Sequence, residues 1–597
     1  MVSQGLLVCE PVNFEVRRKT DIGIAFYLFE QVVFYFSHLL SSRTWLTRRD
    51  GSRQRKGAIN TPLEIATEQH MKAAESPQMA PLFPFQDQHH LLFLLVHVVL
   101  LALLIILYRR KKNGSNGVSK LPPGPPRLPL IGNLHQLGSS CPHRKLHQLA
   151  LEHGPLMLLR LGRVQTLVVS SAEMAKAIIK THDVEFSGRP VLYAANKFSY
   201  GCLNLVFSPY GEYWRQMRKL TMLELLSAKK VQSFRAVREE EVAHTMSLIA
   251  RLTASHSPSV PVNLSEMMLA LVNDIICQIV FGGKQEKNGS GQSGKSRFHE
   301  ILRETQTLLG GFNISDFFPN MEWVNKLNGI KAKIDKNFAA LDEFYDQVIK
   351  EHLHPERSET EHEDLVDVLL RIQKDPTLRI AITSNHIKGI ITDMFIAGTD
   401  TSSSFLVWTM AELVRNPSVL RKAQEEVRRA IGKKDMVEES QLHQLNYLKL
   451  VVKEAFRLHP PAPLLVPHET TEKCTISGYE VPAKTRVFIN ATAIGLDGRS
   501  WHKPEEFRPE RFLDKPIDYR GQDFELIPFG IGRRSCPGMN FASLLIELIL
   551  ANLLHHFDWE LPHGMKREDV DMEEAFGLTI HKKTPLCLVA RAFPDNI

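Results

Sequence analysis

Near the C-terminus of this 597-residue chain, Phe529-Gly-Ile-Gly-Arg-Arg-Ser-Cys-Pro-Gly538 sets one cysteine, Cys536, between glycines with arginines just upstream. A single thiolate presented this way is how a protein holds haem iron through sulfur. The glycines let the backbone turn tightly and aim amide N–H groups at the thiolate. Phe529 can shield one side, and the Arg534 fork suits a haem propionate. Plainer readings exist, since a lone Cys is usually a small buried hydrophobe and Gly-Arg stretches are often surface turns. Zinc is disfavoured, because no second Cys or His stands nearby at ligand spacing. A dinucleotide loop is disfavoured as well: Gly530-Ile-Gly532 begins that pattern, but Ser535 occupies the place of the third glycine.

With Phe, Gly, Arg, Cys and Gly all in register, the segment resembles the haem-binding signature of the cytochrome P450 family. The resemblance implies that Cys536 ligates the iron and that Phe529, Arg534 and Gly538 surround the haem.

Size and composition fit a large protein with one or two domains, 43% hydrophobic and 23% charged. The net charge of +7 is modest and not gathered into one tract, which points away from nucleic acid. Seven scattered cysteines without CxxC pairs read as reduced thiols facing the cytosol.

Residues 91–108 form an apolar run of 18 residues interrupted only by His97. At 1.5 Å per residue such a helix rises about 27 Å, enough for a bilayer core. A buried core helix is the alternative, but Arg109-Arg-Lys-Lys112 follows directly, and residues 79–90 hold no Lys or Arg. The charge asymmetry puts the C-terminal bulk in the cytosol and argues against a cleaved signal peptide. Residues 79–112 therefore read as a membrane anchor. Residues 113–134 read as a spacer and stiff hinge, with Asn113-Gly-Ser-Asn-Gly117 and then Pro122-Pro-Gly-Pro-Pro126. A catalytic domain follows at 135–597. Residues 1–78 carry no recognisable chemistry; they read as an atypical extension or gene-model artefact, with a second membrane segment or a targeting piece as the alternatives.

Long amphipathic patterns dominate after residue 140, as in 231–253 and 330–353, with short strands such as Thr166-Leu-Val-Val-Ser170 and Arg486-Val-Phe-Ile-Asn490. Polar segments 282–295 and 355–364 read as surface loops. A helix over 385–415, stopped by Pro417, contains Ala397-Gly-Thr-Asp-Thr-Ser402. These poor helix formers mark a local opening in an apolar helix. Asp400 and Thr401 offer an acid and an alcohol there, as a proton relay in a water-excluding site requires. A helix-capping cluster is the plainer reading. The segment resembles the family's oxygen-activation motif position by position. That implies Thr401 as the hydroxyl facing the activated oxygen and Asp400 as the assistant in proton delivery.

Glu454-Ala-Phe-Arg457 pairs opposite charges at i, i+3, and Phe507-Arg-Pro-Glu-Arg-Phe512 follows. Read alone, the pair is an ordinary solvated one. By resemblance, Glu454, Arg457 and Arg511 form a buried structural network supporting the haem loop. Trp214 and Arg218 share one helix face, and the family's corresponding helix contacts the haem propionates. In Pro463-Leu-Leu-Val-Pro-His-Glu469 the chain has His468 where the family often has Arg; His can still donate to a propionate, with a less certain charge.

The motif order and content resemble a plant A-type microsomal cytochrome P450 of the seventy-one clan over residues 85–597. The resemblance implies a mainly α, α+β fold: a helical triangular prism with small β-sheets around a buried haem b. It implies the reaction R–H + O2 + NADPH + H+ giving R–OH, water and NADP+, with the cofactor doing the hard chemistry. Electrons are expected from a membrane-bound NADPH–cytochrome P450 reductase, docked near Arg215, Lys219 and Arg533. The expected location is the endoplasmic reticulum membrane, single-pass, with the catalytic domain cytosolic. Val206, Phe207, Phe395, Ile396, Ala397, Ala462, Val466, Phe576 and Leu578 are the expected pocket lining. Their apolar character points to a hydrophobic specialised metabolite. Two alternatives remain: a haem-thiolate isomerase or dehydratase that does not use O2, and a non-catalytic membrane haem protein.

Overall fold

The computed structural model describes residues 95–99, 120–138, 141–254, 260–282, 291–355, 363–378 and 380–593. The chain divides into two compact units, residues 21–120 and the remainder. In the smaller unit, residues 95–99 are helical and exposed. The rest of the expected membrane span, and all of residues 1–78, lie outside the described residues.

The larger unit is mostly helical. Six helices concern the site: α1 Glu212–Leu220, α2 Leu264–Phe281, α3 Gly291–Gly310, α4 Ser384–Arg415, α5 Asn446–Leu458 and α6 Met539–His556. Helix α4 is the axis of the unit. Thr383 and His386 cap its start reciprocally, and it ends at Asn416, immediately before Pro417. It runs unbroken through 397–402, so the expected opening of the helix does not occur. Gly398 serves close packing instead, since a Cβ there would lie 3.2 Å from Ile276 of α2. Helices α2 and α6 are long and apolar enough to cross a membrane, but both are mostly buried, and they supply core residues such as Leu271, Ile275, Leu548 and Leu553.

Two sequence expectations need correction. The pattern over 231–253 is interrupted at Phe234, giving helices Ala228–Ser233 and Arg235–Ala254. The polar segment 282–295 is helical from Gly291, because α3 is drawn into place by Phe298, Ile301 and Leu302, which join the core; tertiary packing outweighs weak local propensity. Among the described cysteines, Cys202, Cys474 and Cys536 are free thiols.

The largest sheet has the order β1-β2-β4-β3, from Leu156–Leu161, Val164–Val169, Arg486–Ile489 and His468–Glu469 respectively. β1 and β2 form a hairpin with Leu161 opposite Val164; β2 and β4 are parallel, with Thr166 opposite Arg486. Its edge strand β3 carries His468 to the central cavity. A two-stranded hairpin, β5 Glu574–Ala575 and β6 His581–Lys582, reaches α4 from the C-terminal end of the chain. Strands Val262–Asn263, Phe557–Glu560 and Cys587–Ala592 make a third sheet.

Candidate active site

The cysteine loop is shaped by its glycines. Gly530 and Gly532 have φ of 68° and 76°, a region that disfavours side chains. At Gly532 a Cβ would also meet Asp183 Oδ1 at 2.6 Å and Ile179 at 2.9 Å. The Cys536 amide donates to the Phe529 carbonyl at 2.8 Å, closing the loop. Phe529 packs edge-on against Phe456 of α5, ring centroids 5.0 Å apart, and beside Tyr519. Burial pushes the Cys536 thiol up, while the Gly538 amide and the Arg218 charge pull the other way. Both opposing groups favour a thiolate.

Cys536 faces an internal cavity that also meets Thr401. Of the expected lining, Val206, Phe207, Ile396, Ala397, Ala462, Val466 and Leu578 are present. Two expected members are elsewhere. Phe395 is fully buried in the core, stacked on Phe281 at 5.0 Å and edge-on to Phe298 at 4.9 Å. Phe576 is 48% exposed on the hairpin. Packing explains the first miss: the cavity face of α4 is Met394, Ala397, Gly398, Thr401 and Phe405, and Phe395, to one side of that face, is taken up by Phe281 of α2 and Phe298 of α3. A larger, strongly charged groove of about 1340 Å³ lies beside Arg160 and Arg486. Its lining includes Asp316, Glu322, Asp335 and Glu469 but neither Cys536 nor Thr401, which both line the inner cavity.

Three guanidinium groups line that cavity. Arg534 donates to the carbonyls of Ser187 and Ser208 at 2.8 and 2.7 Å. Arg218 reaches Ser535 Oγ at 3.4 Å. The third, Arg189, escaped the sequence reading; it is buried and donates to the carbonyls of Val206, Val466 and Pro467 at 2.7–3.1 Å. Burial, then repulsion from Arg218, lowers Arg534 to about 10. Burial and Arg534 lower Arg189 in turn. Among the described residues none of the three has an ion-pair partner. Unpaired charges of one sign, one buried and two half-buried, fit an anionic ligand, and two propionates meet that need. Trp214 donates its indole N–H to the Leu205 carbonyl at 3.1 Å, and its ring lies 4.3 Å from the Arg534 guanidinium.

His468 is buried, and its Nδ1–H donates to the Phe186 carbonyl at 2.7 Å. Burial, then Arg189, depresses its pKa well below the usual imidazole value. It is therefore a neutral lining group, and Arg189 is the cation at this place. Asp393 of α4 was also missed. It accepts from Asn204 Nδ2 at 2.5 Å and from the Leu205 and Val206 amides at 2.7 and 3.3 Å. Burial raises it to about 7 against those bonds. Asn204 and Asp393 lie too far apart in sequence for any local signal to join them.

Thr401 donates its hydroxyl to the Ala397 carbonyl at 2.6 Å, which leaves its oxygen an acceptor at the cavity wall. Asp400 does not line the cavity. It is buried toward the β5–β6 hairpin and pairs with His581 at 2.9 Å. Beneath the cysteine loop, Glu454 holds Arg457 at 2.7 and 2.8 Å and Arg511 at 2.9 Å, all three buried. The network expected from three separated residues is assembled.

Residues 122–588 match the family description "Cytochrome P450". The chain belongs to the cytochrome P450 family. It is 58% identical over 476 residues to Cytochrome P450 71A9 of Glycine max, covering 79% of this chain and 93% of that protein. It is 56% identical over 470 residues to a Strychnine-11-hydroxylase of Strychnos nux-vomica, covering 79% and 91%. A zebrafish cytochrome P450 solved with abiraterone shares the fold, with a TM-score of 0.63, 24% identity, and coverage of 76% of this chain and all of that one. These relatives place the chain among plant cytochromes P450 of the seventy-one clan. It is a haem-dependent monooxygenase, an oxidoreductase that incorporates molecular oxygen using electrons from a reductase. The cysteine, the guanidinium triad and the closed aromatic side of the P450 loop fit that haem.

Proposed function

We propose that this P450 hydroxylates a hydrophobic plant specialised metabolite with NADPH as electron source. The observation that carries the reading is the placement of Cys536 and Thr401 on one apolar cavity. Haem b, when held by the Cys536 thiolate, would supply oxygen activation. Arg189, Arg218, Arg534 and Trp214 hold its propionate edge. Glu454, Arg457 and Arg511 keep the loop in place from below. Val206, Phe207, Ile396, Ala462, Val466 and Leu578 orient the substrate and exclude water. Thr401 accepts a hydrogen bond at the reacting side, and Asp400 brings protons toward it. The relatives named strychnine-11-hydroxylase and desmethyl-deoxy-podophyllotoxin synthase support a specialised metabolite as substrate.

The surroundings follow the same reading. Residues 79–112 anchor the protein in the endoplasmic reticulum membrane, 113–134 form the hinge, and 135–597 face the cytosol. The NADPH–cytochrome P450 reductase docks where Arg215 and Arg533 both approach the Tyr210 ring, with Lys219 nearby on α1. Each arginine also pairs with an acid, Glu212 or Asp183, so docking exchanges those partners for the reductase's acidic groups.

The test uses full-length protein in microsomes with reductase. A library of plant metabolites is screened for Soret shifts, and shifted compounds are assayed for product, NADPH and O2. Product formed in equal amount to NADPH consumed is expected. Turnover without NADPH or O2 would establish the isomerase or dehydratase reading instead.

A further inference from the structure

The hairpin that closes the cavity also holds the acid of α4. Asp400, Ser404 and Trp408 stand at i, i+4 and i+8, one stripe of α4 turned from the cavity and toward the hairpin. Ser404 Oγ and Trp408 Nε1 both donate to the Ile580 carbonyl, at 2.6 and 3.0 Å. The Ile580 amide donates to the Pro461 carbonyl at 3.0 Å. At the base of the hairpin Glu574 binds Arg144 at 2.6 and 2.8 Å and His143 at 3.1 Å. His581, directly after the pinned Ile580, is thereby set over Asp400, Nε2 to Oδ1 at 2.9 Å. The acid's side chain is 7% exposed and the imidazole 43%, so the pair spans from helix to solvent. Two residues on the cavity side of the same pin, Leu578 and Thr579, line the substrate cavity.

We propose that His581 is a positioning residue for Asp400, tying the proton-delivering acid to the hairpin that touches substrate. This rests on the reading of Asp400 given above. In its charged form the imidazole holds the Asp400 carboxylate in place at the hairpin-facing edge of α4. Displacement of Leu578 and Thr579 by a bound substrate is felt at the acid through one residue of backbone. Burial works against the charge on His581, but the bond and charge of Asp400 outweigh it and hold the imidazolium above its usual range, with Arg303 of α3 opposing.

The experiment compares His581→Phe, His581→Arg and Asp400→Asn with the wild-type holoenzyme in microsomes. Haem content and substrate-induced Soret shift are controls for folding. In His581→Phe, product per NADPH is expected to fall several-fold, with hydrogen peroxide rising to match. Arginine keeps the pair at every working pH, so His581→Arg is expected to restore coupling. Wild-type coupling should decline over the pH range, above the usual imidazole value, in which His581 discharges, while that of His581→Arg stays level. Independently of turnover, a double-mutant cycle in thermal unfolding of His581→Phe and Asp400→Asn should show non-additivity at the acid end of that range and less at the alkaline end. Wild-type coupling in His581→Phe, or failure of arginine to rescue, overturns the inference. If Asp400→Asn remains fully coupled, the reading of Asp400 itself falls; if only Asp400→Asn uncouples, the inference about His581 alone falls.

Discussion

The Arg534 guanidinium lies over the Trp214 indole at 4.3 Å, and both side chains donate to one carbonyl, that of Leu205, at 3.5 and 3.1 Å. The cysteine loop, helix α1 and the 204–208 segment thus meet at a single backbone oxygen. A cation over an aromatic face is worth about 0.5–2 kcal/mol. Its larger consequence here is geometric, because three segments distant in sequence cannot move separately at the haem edge.

Removing the acid beneath that edge leaves charges stranded. Glu454→Gln is expected to destabilise the protein by about 3–5 kcal/mol, since Arg457 and Arg511 stay buried without their carboxylate. Chemical denaturation measures the loss, and haem content should fall with it. Unchanged stability would mean that the carbonyls of Gly495, His502 and Glu506 suffice for both arginines.

The loop glycine is a sharper probe. Gly532→Ala places a side chain at φ 76° and within 2.6 Å of Asp183 Oδ1. Left-handed backbone alone costs an L-residue about 1–2 kcal/mol. The variant should purify with less haem, read from the Soret-to-protein absorbance ratio, and normal loading would show that Asp183 yields freely.

His468 makes a pH prediction. Its folded pKa lies below the unfolded value, so stability is intact above the unfolded pKa, about 6.5, and falls as pH drops below it toward the folded value. Acid unfolding of the apoprotein should therefore be less steep in His468→Gln. Substituting Arg, as the family often has, adds a cation beside Arg189 and should lower the apoprotein's melting temperature more than the holoprotein's.

Asp393 has the opposite sign. Burial raises it to about 7, so its contribution is most favourable below its unfolded pKa and is lost as pH rises to about 7. Relative to Asp393→Asn, the wild type should lose stability over that range. Because Asp393 also fixes the Leu205 and Val206 amides, the variant should bind substrate more weakly, as seen in Soret titrations.

The motifs of local sequence were enough for much of this. Gly530, Gly532 and Cys536 define their loop within ten residues, and the run of apolar residues before Pro417 defines α4. The Glu454–Arg457 pair lies within one helical turn. Resemblance then supplied Arg511, Trp214 and Thr401, since motif order carries what spacing cannot.

What the sequence by itself determined was the chemistry of the loop, the main helices and the reaction class, because each is encoded in contiguous residues with a fixed period. Tertiary structure alone decided which way side chains face and which distant groups meet. It turned Phe395 into the core and Asp400 toward His581, and it left Phe576 in solvent. It also brought Arg189 and Asp393 to the cavity through bonds to backbone carbonyls and amides, which every residue possesses and no sequence pattern marks. The charge of His468 belongs to the same class: it follows from burial and from Arg189, which stands hundreds of positions away in sequence and beside it in the fold.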